Sequence, residues 1–264
     1  MREMLDRLRR EKPLVHHITN YVTANDCANM VLAAGASPVM ADDPEECAEM
    51  TAAASALVLN LGTLDARKID SMRRSGRMAR DRCIPVVLDP VGCGATILRT
   101  ETARMLLQEV RPSVVRGNIS EIQALYDGSS QARGVDADQN DWRHPPAVLA
   151  AAAARAWGCI AAVTGPEDIV SDGQRTLEID NGCAEMARIT GTGCMCTSLI
   201  AAFCGASPNR LLDGTAAALI FMGLCGEHAK KIAMGPGTFH AALFDQAAAM
   251  TGQMLEEEGR WHEI

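Results

Sequence analysis

The amino-acid sequence predicts an α/β protein with a largely parallel central sheet and helices on both faces. Short, continuous apolar runs alternate along the chain with longer segments of helical periodicity. The runs at residues 56–61 and 86–88 show no polar alternation, which is typical of strands buried on both faces. Strands that alternate with helices form βαβ units, and these units build a parallel sheet. We therefore expect residues 1–264 to form a single domain.

The first elements show the local signals behind this assignment. Residues 2–11 have an amphipathic helical pattern that Pro13 ends, and residues 14–18 form a short apolar strand. Residues 21–34 are predicted to be helical, with apolar residues on one face. Gly35 ends this helix, because glycine readily adopts the left-handed conformation found after helices.

The later elements continue the alternation. The further predicted strands are short and mostly apolar, and they span residues 37–40, 56–61, 86–88, 113–115, 159–163, 168–171 and 175–179. The further predicted helices are periodic or rich in alanine, and they span residues 44–54, 66–82, 100–110, 120–125, 147–157, 194–204, 209–231 and 241–258.

Three connections carry turn or loop signals. Asp172-Gly173 lies between the last two predicted strands and indicates a hairpin. Residues 127–146 are polar and contain two adjacent prolines, so we expect a surface excursion there. Residues 234–239, which are rich in glycine and proline, are predicted to be a loop before the last helix.

Composition excludes several classes of function. The formal net charge of -8 argues against a nucleic-acid partner. The longest apolar run, residues 216–225, is about half as long as a membrane span, and the charged residues 1–12 do not resemble a secretory signal. We therefore expect a cytoplasmic protein without a membrane partner. One basic cluster near the end of a predicted helix is interpreted as a solvated face, and it comprises Arg73, Arg74, Arg77, Arg80 and Arg82.

Ten cysteines occur without any CxxC pair. Most lie in apolar stretches, so we interpret them as small buried hydrophobic residues. The pair Cys194 and Cys196 lacks a nearby histidine or a second pair and is weak evidence for a metal.

The segment Thr190-Gly-Thr-Gly-Cys194 precedes an apolar helix. Gly191 and Gly193 permit unusual backbone angles and close approach of a ligand, and Thr190 or Thr192 is expected to cap the helix. The free N–H groups and the dipole of a helix start bind anions, above all phosphate. An ordinary glycine-rich turn is the alternative for this segment taken alone.

Polar residues recur where the predicted parallel strands end. Asn60, Asp89, Asn118 and Thr164 each lie at or just beyond the end of such a strand, and Arg116 follows the 113–115 strand. In an open α/β sheet, ligands bind beyond the carboxyl ends of the strands. The recurrence predicts a binding crevice at that edge, although loops also favour such residues.

Three of these positions indicate phosphoryl transfer. Asp89 and Glu121 offer hard oxygen ligands suited to Mg²⁺, and Arg116 offers a fork of donors to phosphate oxygens. A turn residue, a first-turn acid and a surface charge are the respective alternatives. No G-x-x-x-x-G-K-[ST] or complete G-x-G-x-x-G motif is present, so neither a P-loop protein nor a nicotinamide-dependent oxidoreductase is favoured.

Several motifs in one order resemble those of the hydroxyethylthiazole kinases, which belong to the ribokinase-like group. The resemblance covers nearly the whole chain except residues 127–146. It rests on His17-Ile-Thr-Asn20, Gly35-Ala-Ser-Pro-Val-Met40-Ala, Leu59-Asn-Leu-Gly-Thr63, Leu88-Asp-Pro-Val-Gly92, Val115-Arg-Gly-Asn118 with Glu121, Val163-Thr-Gly165 and Thr190-Gly-Thr-Gly-Cys194.

This resemblance implies a ribokinase-like fold and transfer of the ATP γ-phosphate to the hydroxyl of 4-methyl-5-(2-hydroxyethyl)thiazole. It also implies a homotrimer with sites between subunits. The implied site residues are Arg116, Thr164 and Asn118 for ATP, Met40, Gly191 and Asn20 for the thiazole, Asp89 and Glu121 for Mg²⁺, and Thr192, Gly193 and Cys194 for catalysis.

Cys194 occupies the position at which ribokinase-like sugar kinases carry an aspartate base. Its place at a helix start is expected to lower the thiol pKa. Phosphoryl transfer demands little of a base, so we predict that Cys194 positions or weakly activates the hydroxyl. The cysteine argues against a hydroxymethylpyrimidine kinase or a hydrate dehydratase of the same fold, where aspartate is expected. A non-catalytic sensor of thiamin precursors would need neither the acidic residues nor Arg116.

Overall fold

A computed structural model describes residues 1–128 and 144–264, so most of the predicted excursion at 127–146 lies outside the described residues. The described residues form one nine-stranded sheet. Its strands, in chain order, are β1 Leu14–Ile18, β2 Ser37–Met40, β3 Ala56–Asn60, β4 Val86–Asp89, β5 Val114–Asn118, β6 Ile160–Thr164, β7 Asp168–Ser171, β8 Thr176–Ile179 and β9 Trp261–Glu263.

The sheet is parallel over its first six strands. Its spatial order is β2-β1-β3-β4-β5-β6-β7-β8-β9, and pairing becomes antiparallel from β6 to β9. The strands from β1 to β6 are joined by helical crossovers, which place their carboxyl ends at one edge. The hairpin predicted at Asp172-Gly173 is confirmed, because β7 and β8 pair antiparallel around Gly173, whose φ is 90°.

Helices cover both faces, as predicted. They are α1 Arg2–Glu11, α2 Ala24–Ala34, α3 Cys47–Ala53, α4 Ala66–Asp81, α5 Ile97–Val110, α6 Ile119–Tyr126, α7 Pro146–Trp157, α8 Thr192–Ala206, α9 Leu211–Ile232, α10 Pro236–Ala249 and α11 Gly252–Glu257. No helix within the described ranges is both long and apolar enough to cross a membrane.

Two hydrophobic cores lie on opposite faces of the sheet, and the side-chain alternation of its strands separates them. Val58 of β3 packs in the core that includes α1, α2, α8, α9 and α10. Its neighbours Leu57 and Leu59 pack in the core that includes α4, α5, α6 and α7. Because both faces are covered, the central strands are buried throughout, which explains their continuous apolar sequence.

The C-terminal region differs from the prediction. Residues 234–239 are not a loop throughout, because Pro236 begins α10 and the Thr238 hydroxyl oxygen accepts hydrogen bonds from the Met234 and Gly235 N–H groups. Proline suits a first helical position, where no intrahelical N–H bond is lost. The predicted helix 241–258 is two helices, which separate at Met250, whose ψ of 133° is not helical. The short, exposed β9 was not predicted.

The basic cluster on α4 is a solvated face, as predicted. Arg73 and Arg77 pair with Glu109 of α5, and the other members near the helix end are exposed or bind neighbouring carboxylates. All ten cysteines are free thiols, and most of them are buried, in agreement with the sequence interpretation.

Candidate functional site

Four predicted residues end adjacent strands at one edge of the sheet. Asn60 of β3 lies beside Asp89 of β4 in the register, and Asn118 of β5 lies beside Thr164 of β6. The Asn60 Nδ2 donates to Asp89 Oδ2 over 2.9 Å, and the Thr164 hydroxyl donates to Gly117 O over 3.3 Å. The parallel crossovers thus bring these side chains together at one edge of the sheet, where the crevice was predicted.

Helix α8 begins at this edge without a side-chain cap. Its N-cap residue is Gly191, with φ of 92°, and neither threonine of the motif caps the helix as predicted. The Thr192 hydroxyl donates to Met186 O over 3.1 Å instead. The first N–H groups of α8 therefore have no side-chain acceptor among the described residues and can bind an anion.

Arg116 lies against the start of α8. A Cβ built on Gly193 would be 2.8 Å from Arg116 Nη1, so any side chain at this position would displace the guanidinium. The same Nη1 is 3.9 Å from Asp89 Oδ2, and the Arg116 side chain is 14% exposed. The helix start, the guanidinium and the carboxylate thus form one cluster, which is the arrangement that phosphate binding requires.

Asp89 is buried and only partly satisfied. Its Oδ2 accepts hydrogen bonds from Asn60 Nδ2 and from the Thr197 hydroxyl at 2.8 Å, whereas Oδ1 has no partner among the described residues. Burial raises the pKa of Asp89 to about 6, Arg116 acts in the opposite direction, and Glu121 adds to the rise. A buried carboxylate oxygen without a partner fits a ligand of a bound cation.

Glu121 binds two backbone groups. Its Oε2 accepts from the Asn118 N–H at 2.9 Å, while Asn118 Oδ1 accepts from the Glu121 N–H, which together form a capping box. Its Oε1 accepts from Gly92 N at 2.8 Å in the loop after β4. Each oxygen keeps a second lone pair, so Glu121 remains able to bind Mg²⁺ directly or through its waters. Its metal role stays a prediction.

In the part of the chain that the structure describes, Asp89 and Glu121 are not joined by a third carboxylate, histidine or cysteine close enough to complete a metal site. Among the described residues, the one group of three convergent metal-ligand side chains is Glu178, Asp180 and His262, on and next to β8 and β9. Asp89 and Glu121 therefore resemble the sparse protein ligation of Mg²⁺, which is completed by water and substrate phosphates.

The expected lowering of the Cys194 pKa is wrong. The thiol is largely buried, and burial followed by the charge of Asp89 raises its pKa. The Asn20 and Asn60 amides each donate to Cys194 Sγ over 3.3 Å, but this effect is the smaller one. Desolvation is therefore the largest influence on this thiol, and the thiol is neutral at pH 7.

The predicted thiazole residues lie towards the β2 end of the same edge. Met40 is the last residue of edge strand β2, and its side chain is 39% exposed. A Cβ on Gly191 would be 2.7 Å from Thr23 Cγ2, so this glycine packs closely on α2's N-terminal turn. The Asn20 amide donates a hydrogen bond to Cys194 Sγ. Their contact with substrate stays a prediction.

The sequence interpretation missed two residues that shape the crevice. Arg99 of α5 donates to Val91 O and Gly62 O, at 2.7 Å each, and so ties the loops after β4 and β3 together. Asp168 begins β7 and accepts from Gly165 N over 3.0 Å. Burial raises the pKa of Asp168 to about 6, and Arg116 opposes this rise. Both looked like ordinary helix and hairpin residues in the sequence.

Known proteins share this chain's sequence and fold over nearly its whole length. The pattern of the hydroxyethylthiazole kinase family matches residues 5–253. The hydroxyethylthiazole kinase of Clostridium beijerinckii is 47% identical over 266 residues, which cover 99% of this chain and 96% of that protein. The structure of hydroxyethylthiazole kinase from Pyrococcus horikoshii OT3 has a TM-score of 0.90 at 39% identity, covering 100% of this chain and 98% of that one.

A more distant structure confirms the ribokinase-like fold alone. A ribokinase-like superfamily protein from Enterococcus faecalis has a TM-score of 0.64 at 13% identity, and the match covers 96% of this chain and 95% of that one. The family pattern matches residues 5–253, and two relatives are 47% and 39% identical over nearly the whole chain. This chain therefore belongs to the hydroxyethylthiazole kinase family.

Proposed function

We propose that the protein, as one kinase domain of residues 1–264, transfers the γ-phosphate of ATP to the hydroxyl of 4-methyl-5-(2-hydroxyethyl)thiazole in thiamin salvage. The observation that carries this proposal is the approach of Arg116 to Gly193 at the uncapped start of α8, beside Asp89. Family membership supports the thiazole alcohol as acceptor, because both close relatives are hydroxyethylthiazole kinases.

The residues of the crevice supply positioning and neutralisation of charge. The N–H groups at the start of α8 would bind the transferring phosphoryl group, and Arg116 would bind the same or the neighbouring phosphate. Asn118 ends the same strand as Arg116, and Thr164 lies beside it at the end of β6, where both would contact the nucleotide. Together these groups stabilise the negative charge of the transition state.

Asp89 and Glu121 would hold Mg²⁺ at this edge. The unpartnered Asp89 Oδ1 and the second lone pairs of the Glu121 carboxylate are the available ligands. Bound Mg²⁺ supplies neutralisation of the phosphate charges. Asp89 must be ionised for this role, so we expect activity to fall as the pH drops below the carboxyl pKa of about 6.

Thr197→Val tests the ionisation of Asp89. The Thr197 hydroxyl donates to Asp89 Oδ2 and favours the charged carboxylate. Removing it should move the acidic limb of the kcat/KM profile up by about one pH unit, because hydrogen bonds to charged groups are strong. The matched control is Thr215→Val, since Thr215 is also buried but lies in α9 and bonds Cys204. An unshifted limb in Thr197→Val would show that another group controls it.

Cys194→Ser should retain substantial turnover. The thiol is neutral in the folded protein, and a loose phosphoryl-transfer transition state requires little base catalysis. Steady-state ADP release with saturating thiazole measures the effect. A variant that is folded and binds both ligands, yet has no turnover, would make the thiol an essential base.

A coupled assay of ADP release tests the proposed function. It compares hydroxyethylthiazole with hydroxymethylpyrimidine, each with and without Mg²⁺. We expect Mg²⁺-dependent ADP release with the thiazole and little with the pyrimidine. Equal rates on both acceptors, or none on the thiazole, would overturn the substrate assignment; binding without turnover would instead support a sensor.

We further propose a cytoplasmic homotrimer with active sites between subunits. Apolar side chains are exposed at the β1–β2 end of the crevice and on adjacent α2: Tyr21 at 80%, Val22 and Leu32 at 57% each, and Met40 at 39%. Contact with another subunit would cover them and complete the thiazole side of the site. Light scattering should give three times the chain mass of 28.2 kDa. A monomer with full activity would contradict this arrangement.

A further inference from the structure

Two buried asparagine amides hold the Cys194 sulfur. Asn20 is 3% exposed and Asn60 is fully buried. The Nδ2 atom of each donates to Cys194 Sγ over 3.3 Å. Neither residue belongs to α8, which carries the cysteine: Asn60 ends β3, and Asn20 follows β1. Two strand ends therefore converge on one sulfur atom.

Every hydrogen of the Asn60 amide has an acceptor. Besides Cys194, its Nδ2 donates to Asp89 Oδ2 over 2.9 Å. Its Oδ1 accepts from Gly62 N at 2.9 Å and from Asn20 Nδ2 at 3.0 Å. Because an amide nitrogen has only two hydrogens, one NH₂ group joins the sulfur to the carboxylate.

The Asn20 amide is anchored in the same way. Its Nδ2 donates to Asn60 Oδ1 and to Cys194 Sγ, and its Oδ1 accepts from both the backbone N–H and the hydroxyl of Thr23, at 3.0 and 3.1 Å. Turning either amide over would break the bonds of its oxygen and face that oxygen towards the sulfur. The anchors therefore determine that NH₂ groups, and not carbonyls, face Cys194.

The sulfur of a neutral thiol that accepts two N–H groups must direct its own S–H elsewhere. Cys194 is half-buried, so part of its side chain stays accessible to a bound substrate. The thiol then offers its hydrogen to a substrate hydroxyl oxygen. The geometry points to Asn20 and Asn60 as positioning residues that aim the Cys194 S–H at the acceptor hydroxyl, and Asn60 also holds Asp89. The link to a hydroxyl substrate rests on the proposed function, whereas the two amide hydrogen bonds to the sulfur do not.

Two measurements distinguish the amide hydrogen bonds to Cys194 from the hydrogen bond between Asn60 and Asp89. The first is the pH dependence of Cys194 alkylation by iodoacetamide, followed for each peptide by mass spectrometry because the chain has ten cysteines. Alkylation follows the thiolate fraction, which the amide donors raise. The second is kcat in a Cys194→Ala background, which shows whether an amide acts on anything besides the sulfur.

Asn20→Leu and Asn60→Leu should differ in a defined way. Each removes one N–H donor from the sulfur, so each should slow Cys194 alkylation at pH 8 by about tenfold. Only Asn60→Leu should also lower kcat in the Cys194→Ala background, because only Asn60 donates to Asp89. Asn209→Leu, at an exposed position between α8 and α9, is the matched control and should change neither readout.

Faster or unchanged alkylation in both leucine variants would overturn the proposal that the two amides hold the sulfur. A substitution that only loosened the site would expose the thiol and so would speed its alkylation. Asn60→Asp keeps the shape and the accepting oxygen without the NH₂ group, and it serves if Asn60→Leu does not fold; it should slow alkylation likewise. In a Cys194→Ala background, Asn20→Leu should reduce kcat less than twofold further. A full additional loss would show that Asn20 acts on substrate independently of the sulfur. Because alkylation needs no turnover, failure of the kinase proposal would leave this test readable.

Discussion

Gly193→Val should abolish turnover, with a loss of at least about a thousandfold in kcat. The valine Cβ would lie 2.8 Å from Arg116 Nη1, and its two methyl groups would extend further into the space between the guanidinium and the start of α8. The guanidinium would be displaced and the phosphate excluded at once. ADP release and ATP binding by calorimetry measure the two consequences.

A matched pair of smaller substitutions controls this result. Gly193→Ala places the same Cβ against Arg116, whereas Gly214→Ala in α9 meets no atom nearer than 3.5 Å. Both positions lie in helices, so their backbone requirements are alike. We expect Gly193→Ala to lose most activity and Gly214→Ala to keep it. Equal activity in the two alanine variants would remove the Arg116–Gly193 approach from the mechanism.

Asp89→Asn should abolish activity and yet stabilise the protein at pH 8. In the folded protein the pKa of Asp89 is about 6, against an ordinary value of 3.8. Because the folded pKa is the higher one, the stabilising contribution is complete below about pH 3.8 and is lost as the pH rises through 6. A shift of this size corresponds to about 3 kcal/mol, and we expect a gain of about 1–3 kcal/mol because Arg116 loses its partner.

Urea unfolding at pH 8 and at pH 4.5 measures this prediction. The advantage of Asp89→Asn should shrink at the lower pH, where the native carboxyl is largely protonated. Asp81→Asn, on the exposed end of α4, should change neither stability nor turnover. If Asp89→Asn were destabilising at pH 8, burial would not be the dominant influence on this carboxyl. Retained turnover would exclude Asp89 from the metal site.

The sequence predicted those elements whose signals are local. The strands around Val58 and Val87 were readable because both faces of the sheet are covered, which leaves continuous apolar runs. The C-terminal region was not predicted correctly, because the break between helices at Met250 and the pairing of β9 with β8 depend on tertiary packing. Pro236 was taken as a loop residue, although proline also begins helices.

The sequence indicated which residues form the candidate site, but it did not indicate their burial or their hydrogen-bond partners. The strand ends indicated Asn60 and Asp89 because parallel strands align their carboxyl ends. The Cys194 pKa was predicted in the wrong direction, because a helix start is visible in a sequence and burial next to Asp89 is not. The bonds of Asn20 and Asn60 to one sulfur join residues far apart in the chain, and no local pattern reports them.

A crystal structure with Mg²⁺ and a non-hydrolysable ATP analogue would show whether the start of α8 and Arg116 bind the transferring phosphate. We predict that oxygens of the terminal phosphate lie within about 3.2 Å of the backbone N–H groups at the start of α8, with Arg116 bound to a phosphate and the cation next to Asp89. Triphosphate density elsewhere, with the first turn of α8 and Arg116 free of any phosphate contact, would contradict the account.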